Sequence, residues 1–432
     1  MNKARKALIL GSGAREDSIV WRLLRFDPTM EVYAAPGNPG MAMRGCKLIP
    51  LSLDHKNFEL LKDIALNLGI TLVIVGPDNA LVDGVVGVFT QAGIPTFGPE
   101  TACVIEASKN YAKNLMRNIG IPTAPFETFS NYDDAAAYVR KKDGQVVVKA
   151  DGLALGKGVR VCNSVNEALQ ALTDFMINEK VGAAGKTVVI EDKLVGTELS
   201  IHAFCDGTDA AMLLPVRDHK TLTSDPKSPM TGGMGVWGPI DIDSELMTTI
   251  KETIVMPCLQ ELNKRRTPFR GCLYPGLMLT ADGPKVLEFN ARLGDPEAQW
   301  YMRMLREDVD VYDVFLACAE GNLKRLGYGS EPFQWHNANC SVITLAAAGY
   351  PEKPQKGDPI EGLQNYTSPN GKTVVFHGGT AWVNGELVTN GGRVLSVSTV
   401  LGNAEPVRNA YEPLRMGLGF SRFHYRGDIG EN

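Results

Sequence analysis

The chain has 432 residues, 44% of them apolar, with a formal charge of −5 and eight scattered cysteines. That length exceeds what one hydrophobic core fills, so two to four domains are expected of a soluble globular composition. The mild acidity argues against a general nucleic-acid or membrane-surface role. The absence of C-x-x-C spacing removes zinc and redox motifs, and no apolar run approaches the ~20 residues of a membrane span.

Lys3, Arg5 and Lys6 precede only a short apolar run, which reads as a first strand rather than a signal peptide. That strand, Lys6–Leu10, runs into Gly11-Ser12-Gly13-Ala14-Arg15-Glu16 and a helix through Ser18–Leu24. Strand, glycine turn and helix N-terminus bring free N–H groups and the helix dipole to one point, a ready anion site. A dinucleotide fingerprint would want a third glycine where Glu16 stands, so a phosphate of another ligand fits better. A plain β–turn–α connection is the alternative. Further strands are predicted at Met30–Ala34, Thr71–Val75 and Pro95–Phe97, with helices at Phe58–Leu68 and Leu81–Gln91. This alternation predicts an open parallel sheet with ligands outside its carboxyl ends, where Gly11–Arg15, Pro36–Asn38 and Gly76–Asp78 gather.

A helix Ser108–Asn118 carries Lys109 in its first turn, against the helix dipole; this suggests a ligand contact, with a solvated lysine as the alternative. Gly120-Ile121-Pro122-Thr123 marks a boundary. A small α+β unit follows: strand Phe126–Phe129, helix Tyr132–Lys141, strands Val146–Val148 and Val159–Val161, helix Val165–Ile177, strand Thr187–Glu191. Within it, VVVKADGLALGKG (Val146–Gly158) places Lys149 at a strand end, then Gly152, Gly156, Lys157 and Gly158. Ammonium groups bracketing a glycine loop suit a polyphosphate. Walker A spacing is absent, since three residues separate Gly152 from Gly156 and Gly158 follows Lys157. An ordinary glycine turn is the alternative. Glu191-Asp192-Lys193-Leu194 leaves the last strand with amides and a leucine suited to an adenine edge and face, and Glu198 suits ribose hydroxyls; an acidic surface turn is the alternative.

Ser200–Cys205 and Ala210–Val216 read as a hairpin around Asp206-Gly207. Arg217-Asp218-His219-Lys220 then opens a polar loop closed by Thr231-Gly232-Gly233-Met234-Gly235, longer than filler requires. His219 alone reads as a surface histidine. After a helix Leu246–Asn263 come strands Gly271–Thr280 and Lys285–Phe289. Residues i and i+2 of a strand point the same way, so Glu288 and Asn290 offer two oxygen ligands suited to Mg²⁺, with Arg292 on that face if the strand continues. A buried hydrogen-bonded pair is the alternative. From about Pro332 the chain turns to short strands (Ser341–Ala346, Thr373–His377, Ala381–Val383, Arg393–Thr399) and a final helix, Glu405–Met416.

In this order these residues resemble an ATP-grasp enzyme and, more narrowly, the glycinamide ribonucleotide synthetase (phosphoribosylamine–glycine ligase) family. The resemblance runs nearly end to end, through Gly11–Glu16, Pro36–Asn38, Gly76-Pro77, Ser108-Lys109, Val147–Gly158, Val189–Glu198, Asp218–Lys220 and Thr231–Gly235. It continues through Leu287–Gln299, Gly349–Pro351, Phe376–Thr380, Gly391–Leu395 and Asp428–Gly430. It implies an α/β and α+β multidomain fold: an N-terminal open parallel sheet for substrate (1–104), a central ATP-grasp domain (105–328, lid at about 122–194) and a C-terminal, small, mostly-β domain (329–432). ATP would be the co-substrate, with Mg²⁺ or Mn²⁺ on Glu288 and Asn290.

Lys109 and Lys149 would bind its phosphates under the lid loop with Gly152, Gly156, Lys157 and Gly158. Glu191, Asp192, Lys193 and Leu194 would hold adenine, and Glu198 the ribose. Arg292, Asp218 and Lys220 would face the reacting carboxylate and phosphoryl group. Gly11, Ser12, Gly13, Ala14 and Arg15 would take the 5-phosphate of the amine, with Asn38, Gly232 and Gly233 also on the substrate side.

The implied reaction joins glycine to 5-phosphoribosylamine through glycyl phosphate, in purine biosynthesis. A cytoplasmic monomer or weak dimer with no nucleic-acid or membrane partner is expected. A ligase for another acid and amine, or a non-enzymatic nucleotide-binding module, are the competing readings. Departures from the family pattern fall on substrate-side loops: Ala14, Asp17 and Ser18 within Gly13–Ser18, the loop Asp225–Met230, and Pro275 in Tyr274-Pro275-Gly276.

Overall fold

The computed structural model describes residues 4–154, 157–225, 227–327, 333–366 and 371–431. The apolar run Lys6–Gly11 is buried on both faces and pairs in parallel with Glu31–Pro36 on one side and Leu72–Val75 on the other. Lys47–Leu48 and Thr96–Phe97 flank these as short edges, completing a five-stranded parallel sheet in the order Lys47–Leu48, Glu31–Pro36, Lys6–Gly11, Leu72–Val75, Thr96–Phe97. The chain order reverses at Lys6–Gly11, so the crevice opens outside that strand's carboxyl end. The strand Lys47–Leu48 was not anticipated. The helix expected at Leu81–Gln91 is two, Asp78–Val82 and Val85–Gln91, parted at Gly84, whose φ of 87° is left-handed.

The helix Lys109–Ile119 starts at Ser108, whose hydroxyl accepts the Tyr111 N–H. Beyond it lies an antiparallel four-stranded sheet, ordered Phe126–Phe129, Val188–Asp192, Val146–Ala150, Val159–Val161. Helices Tyr132–Lys141 and Val165–Leu172 cover it around a core of its own that includes Val139, Val146, Leu172 and Phe175. A second sheet pairs Thr197–Ser200, Arg270–Thr280, Ala203–Asp206 and Ala210–Met212, with Gly283–Asn290 added on Arg270–Thr280.

The C-terminal sheet crosses the sequence divisions. Its order is Arg217–Asp218, Gly235–Gly238, Asn339–Ala346, Arg393–Leu401, Thr373–His377, so the central segment supplies its first two strands. Gly235 allows the close approach: a Cβ there would lie 2.5 Å from the Val342 carbonyl oxygen. The final helix expected at Glu405–Met416 is instead a 3₁₀ turn, Val407–Tyr411, and one α-turn, Glu412–Arg415; Pro406 and Pro413 cannot donate the bonds a continuous helix needs. Two helices of eight residues or more were not anticipated, Glu297–Met304 and Val311–Glu320. The first is buried on every side, so it has no solvent-facing surface.

One core joins the three segments. Ile9 and Trp21, Phe204 and Trp300, and Val342 and Phe376 belong to the same buried cluster. Buried Asp17 reinforces it: its carboxylate pairs with Arg44 at 2.7 Å and accepts the His377 backbone N–H at 2.8 Å. Burial lowers the His377 and His219 imidazoles to about 4 and pushes His202 well below its ordinary value. These three histidines therefore bind fewer protons in the folded than in the unfolded chain from pH 6.5 down to about 4. Their contribution to stability is expected to fall over that window as pH drops, by up to ~1.4 kcal/mol per pH unit for each histidine, against the opposite contribution of Asp218 and Glu106, whose carboxyls burial pushes up. Urea unfolding from pH 7 to 4.5 checks this, and His377→Asn should flatten part of the slope.

All eight cysteines are buried and free. Among the described residues no helix is long and apolar enough to cross a membrane.

Candidate active site

The strand Val146–Ala150 delivers Lys149 to a buried floor. Its Nζ lies 2.7 Å from Glu191 Oε1 and donates to the Leu287 carbonyl at 2.8 Å. Lys113, which the sequence reading passed over, meets the other oxygen of the same carboxylate at 2.7 Å. Glu191 Oε1 has no hydrogen-bond partner of good geometry among the described residues, despite the nearby ammonium. Lys109 donates to the Gly152 carbonyl at 3.1 Å. Asp151 ties strand end to helix start, accepting from the Ser108 hydroxyl at 2.9 Å and the Asn110 N–H at 3.1 Å.

Lys157 is exposed, Gly158 is buried, and Gly156 lies outside the described residues. The side chains of Asp192 and Lys193 turn elsewhere, to Lys142 and Asn163, at 2.7 and 2.6 Å. Leu194 is half-buried and Glu198 exposed.

Leu287 is the neighbour of Glu288, so the Lys149 contact brings an ammonium to the strand that carries Glu288 and Asn290. Glu288 Oε1 lies 3.5 Å from Lys220 Nζ. Burial pushes the Glu288 carboxyl up, but Lys220, Lys109, Lys149 and Arg292 override it and hold it at about 2. Arg292 reaches back to Asn290 Oδ1 at 3.4 Å and pairs with Glu106 at 2.9 Å. Glu106 also accepts the Ala291 N–H at 2.6 Å, which fixes the turn after the strand.

Among the described residues no group of three His, Cys, Asp or Glu could hold a metal ion. Two oxygens on one strand, one of them an acid held ionised, fit an ion that takes most of its ligands from phosphate and water.

Asp218 lies across from this strand. Burial and then Glu297 push its carboxyl well up, against Lys220 and Arg393. Asp218 Oδ1 and Glu297 Oε1 are both buried without a hydrogen-bond partner among the described residues. A gap of about 10 Å³, enough for one water, is lined by Glu198, Ser200, Asp218, Lys220 and Gly276. His219 is no surface residue: it is partly buried, with Nδ1 3.3 Å from the Gly235 carbonyl oxygen.

A larger cavity of about 440 Å³ opens where the parallel sheet meets the C-terminal sheet. Ser12, Gly13, Ala14 and Asn38 line one wall. Asn38 donates to the Ser12 and His377 carbonyls at 2.9 and 2.7 Å, clamping the two walls together. Two expected phosphate donors are already engaged. The Gly13 N–H donates to Glu16 Oε2 at 2.7 Å; Arg15 turns inward, to Glu16 Oε1 at 2.6 Å and the Leu293 carbonyl at 3.1 Å. Glu16 fills the space its glycine neighbours leave, for a Cβ on Gly76 would lie 1.8 Å from its Oε1.

The opposite wall was not foreseen as part of a site. It consists of the turns at Gly378-Gly379-Thr380 and Asn390-Gly391-Gly392, with Arg393. Arg393 pairs with Asp295 at 3.0 Å and donates to the Gly232 carbonyl at 2.7 Å. Gly232 in turn donates its N–H to the Tyr350 hydroxyl at 3.1 Å, and Gly233 donates to Thr231 Oγ1 at 3.0 Å. The glycine pairs were the available signal, because the two turns pack backbone on backbone: a Cβ on Gly379 would meet Gly391 Cα at 2.5 Å.

A lysine-bearing sheet beside a strand with an acid–amide pair, behind an open parallel sheet, is the arrangement of the ATP-grasp class. Family models agree in three consecutive parts: the phosphoribosylglycinamide synthetase N domain over residues 5–106, the ATP-grasp (A) domain over 107–298 and the C domain over 340–432. The chain belongs to the phosphoribosylglycinamide synthetase family.

A phosphoribosylamine–glycine ligase of Listeria innocua is 39% identical, with 98% of each chain covered. A bifunctional purine biosynthetic protein of Schizosaccharomyces pombe is 41% identical over 99% of this chain, which spans only 53% of that protein. The crystal structure of phosphoribosylamine–glycine ligase from Thermotoga maritima superposes with a TM-score of 0.82 at 33% identity, covering 98% of this chain and 100% of that one. For the fold alone, the biotin carboxylase domain of Hydrogenobacter thermophilus 2-oxoglutarate carboxylase, solved with MgADP, gives a TM-score of 0.71 at 18% identity, over 98% of this chain and 91% of that one.

Proposed function

We propose that the chain is an ATP-dependent ligase that joins glycine to 5-phosphoribosylamine through glycyl phosphate, releasing ADP and phosphate. The observation that carries this reading is the Lys149–Leu287 contact, which sets a phosphate-binding ammonium beside the Glu288–Asn290 strand. Lys149 and Lys109 bind the nucleotide phosphates. Glu191 and the segment Asp192–Leu194 lie beside the adenine ring, with Glu198 at the ribose. A divalent cation, Mg²⁺ or Mn²⁺, on Glu288 and Asn290 would supply charge neutralisation at the phosphates.

Glycine's ammonium suits the two unpartnered carboxylate oxygens of Asp218 and Glu297, while Lys220 and Arg292 attract its carboxylate. That carboxylate attacks the γ-phosphate, a step that asks mainly for alignment and positive charge. The amine of 5-phosphoribosylamine then attacks the acyl carbon and expels phosphate. Its phosphoribosyl group occupies the 440 Å³ cavity between Ser12, Gly13, Ala14 and Asn38 on one side and the glycine turns of the C-terminal sheet on the other. The acyl phosphate hydrolyses in water, so a closing loop bearing Gly152, Lys157 and Gly158 is expected over it.

The divisions 1–104, 105–328 and 329–432 are part of the same reading, as are a cytoplasmic setting and a monomer or weak dimer. An ADP-release assay with Mg-ATP, glycine and freshly generated 5-phosphoribosylamine tests it. Turnover that needs all three supports it; turnover with a different acid or amine replaces the substrates; tight ATP binding without turnover replaces the enzyme by a binding module.

A further inference from the structure

Lys113 stands one helical turn beyond Lys109 and has no part in the chemistry above. Its Nζ lies 2.7 Å from Glu191 Oε2 and donates to Thr123 Oγ1 at 2.6 Å. Thr123 donates onward to the Val286 carbonyl at 2.6 Å, next to the Leu287 carbonyl that receives Lys149. Two cations thus share one carboxylate, and the side chains of Lys113 and Glu191 are each only 2% exposed. Stability alone does not account for a second buried lysine, since desolvating a charge is rarely repaid by one ion pair. Burial draws Lys113 down to about 8, against the pull of Glu191, which marks it as a strained cation. Two ammonium groups against one carboxylate leave one net positive charge where a polyphosphate would lie.

We propose that Lys113 is a positioning residue of the nucleotide site: by occupying Glu191 Oε2 it confines Lys149 to Oε1, aimed along the Glu288 strand, and leaves the three groups with a net positive charge. Without Lys113 both carboxylate oxygens are open to Lys149, which is drawn down onto them, and the group becomes neutral. This rests on the reading of Lys149 and Glu191 as nucleotide ligands.

The test compares Lys113→Met, Lys113→Arg and Thr123→Ala in the full chain. Mg-ATP affinity is measured by calorimetry, and kcat and KM for ATP and glycine in the ligation assay. Lys113→Met should weaken Mg-ATP binding and raise KM for ATP by about tenfold or more, with kcat and KM for glycine changed by less than about threefold. Lys113→Arg should restore most of the affinity. Thr123→Ala keeps the charge but frees the ammonium, and should shift affinity the same way by less.

A folded Lys113→Met protein with Mg-ATP affinity within twofold of the parent overturns the proposal, as does a lowered melting temperature with unchanged affinity. If Lys113→Met does not fold, Thr123→Ala decides: unchanged affinity overturns the proposal and weakened affinity sustains it. A parent chain that binds Mg-ATP yet does not ligate glycine defeats the assigned reaction and leaves this binding test standing.

Discussion

Lys149→Met is expected to lower kcat/KM for ATP by on the order of 10²–10³-fold while the protein stays folded. Methionine keeps the side chain's length and apolar stem and removes only the ammonium. The groups left behind are not stranded: Glu191 retains Lys113 at 2.7 Å, and the Leu287 carbonyl loses a single donor. On the role proposed for Lys149, the catalytic loss comes from charge that no longer meets the transferring phosphoryl group. ADP release and circular dichroism on the same preparation check it, and near-normal ADP release would remove Lys149 from the mechanism.

The second large effect is on stability. Trp300 is fully buried in the helix Glu297–Met304, with its ring edge-on to Tyr301 and its Nε1 donating to the Cys340 carbonyl at 3.0 Å and the Gly238 carbonyl at 3.3 Å. Both carbonyls belong to the sheet that the central and C-terminal segments build together. Trp300→Ala opens a cavity and leaves those acceptors short of a donor, so a loss of about 3–5 kcal/mol is expected. Trp300→Phe keeps much of the volume and should lose less, because only the polar contacts go. Urea midpoints of the two variants give the comparison. Equal losses would mean that the hydrogen bonds, not the packing, carry the position.

Much of the architecture is legible where local pattern and burial agree. Lys6–Gly11 and Leu72–Val75 are apolar throughout because both faces of a parallel sheet are covered, and Phe58–Leu68 has the one-sided period of a surface helix. Legibility ends where a residue's role depends on distant partners. Glu297–Met304 buries its polar residues with its apolar ones and has no solvent-facing side. Lys113 looks like any solvated lysine until Glu191 and Thr123 arrive from elsewhere in the chain. The family resemblance implies Arg15 as a phosphate ligand, yet its guanidinium is drawn to Glu16 and the Leu293 carbonyl, a contact 278 residues away in sequence. The second wall of the cavity, Gly378–Thr380 with Asn390–Arg393, shows locally only as turns.

The C-terminal sheet begins with Arg217–Asp218 and Gly235–Gly238, strands that lie more than a hundred residues before the rest of it. The chain is therefore modular along its sequence but not in space. Moving the last third of the chain into another protein would take away the three strands on which Gly235–Gly238 leans. It would leave Asp218 on a two-stranded ribbon and expose a raw sheet edge prone to pairing with other molecules. Recombination that respects this protein must exchange the segment carrying Asp218 and the C-terminal sheet together, which ties the Asp218 strand to the glycine-turn wall of the cavity.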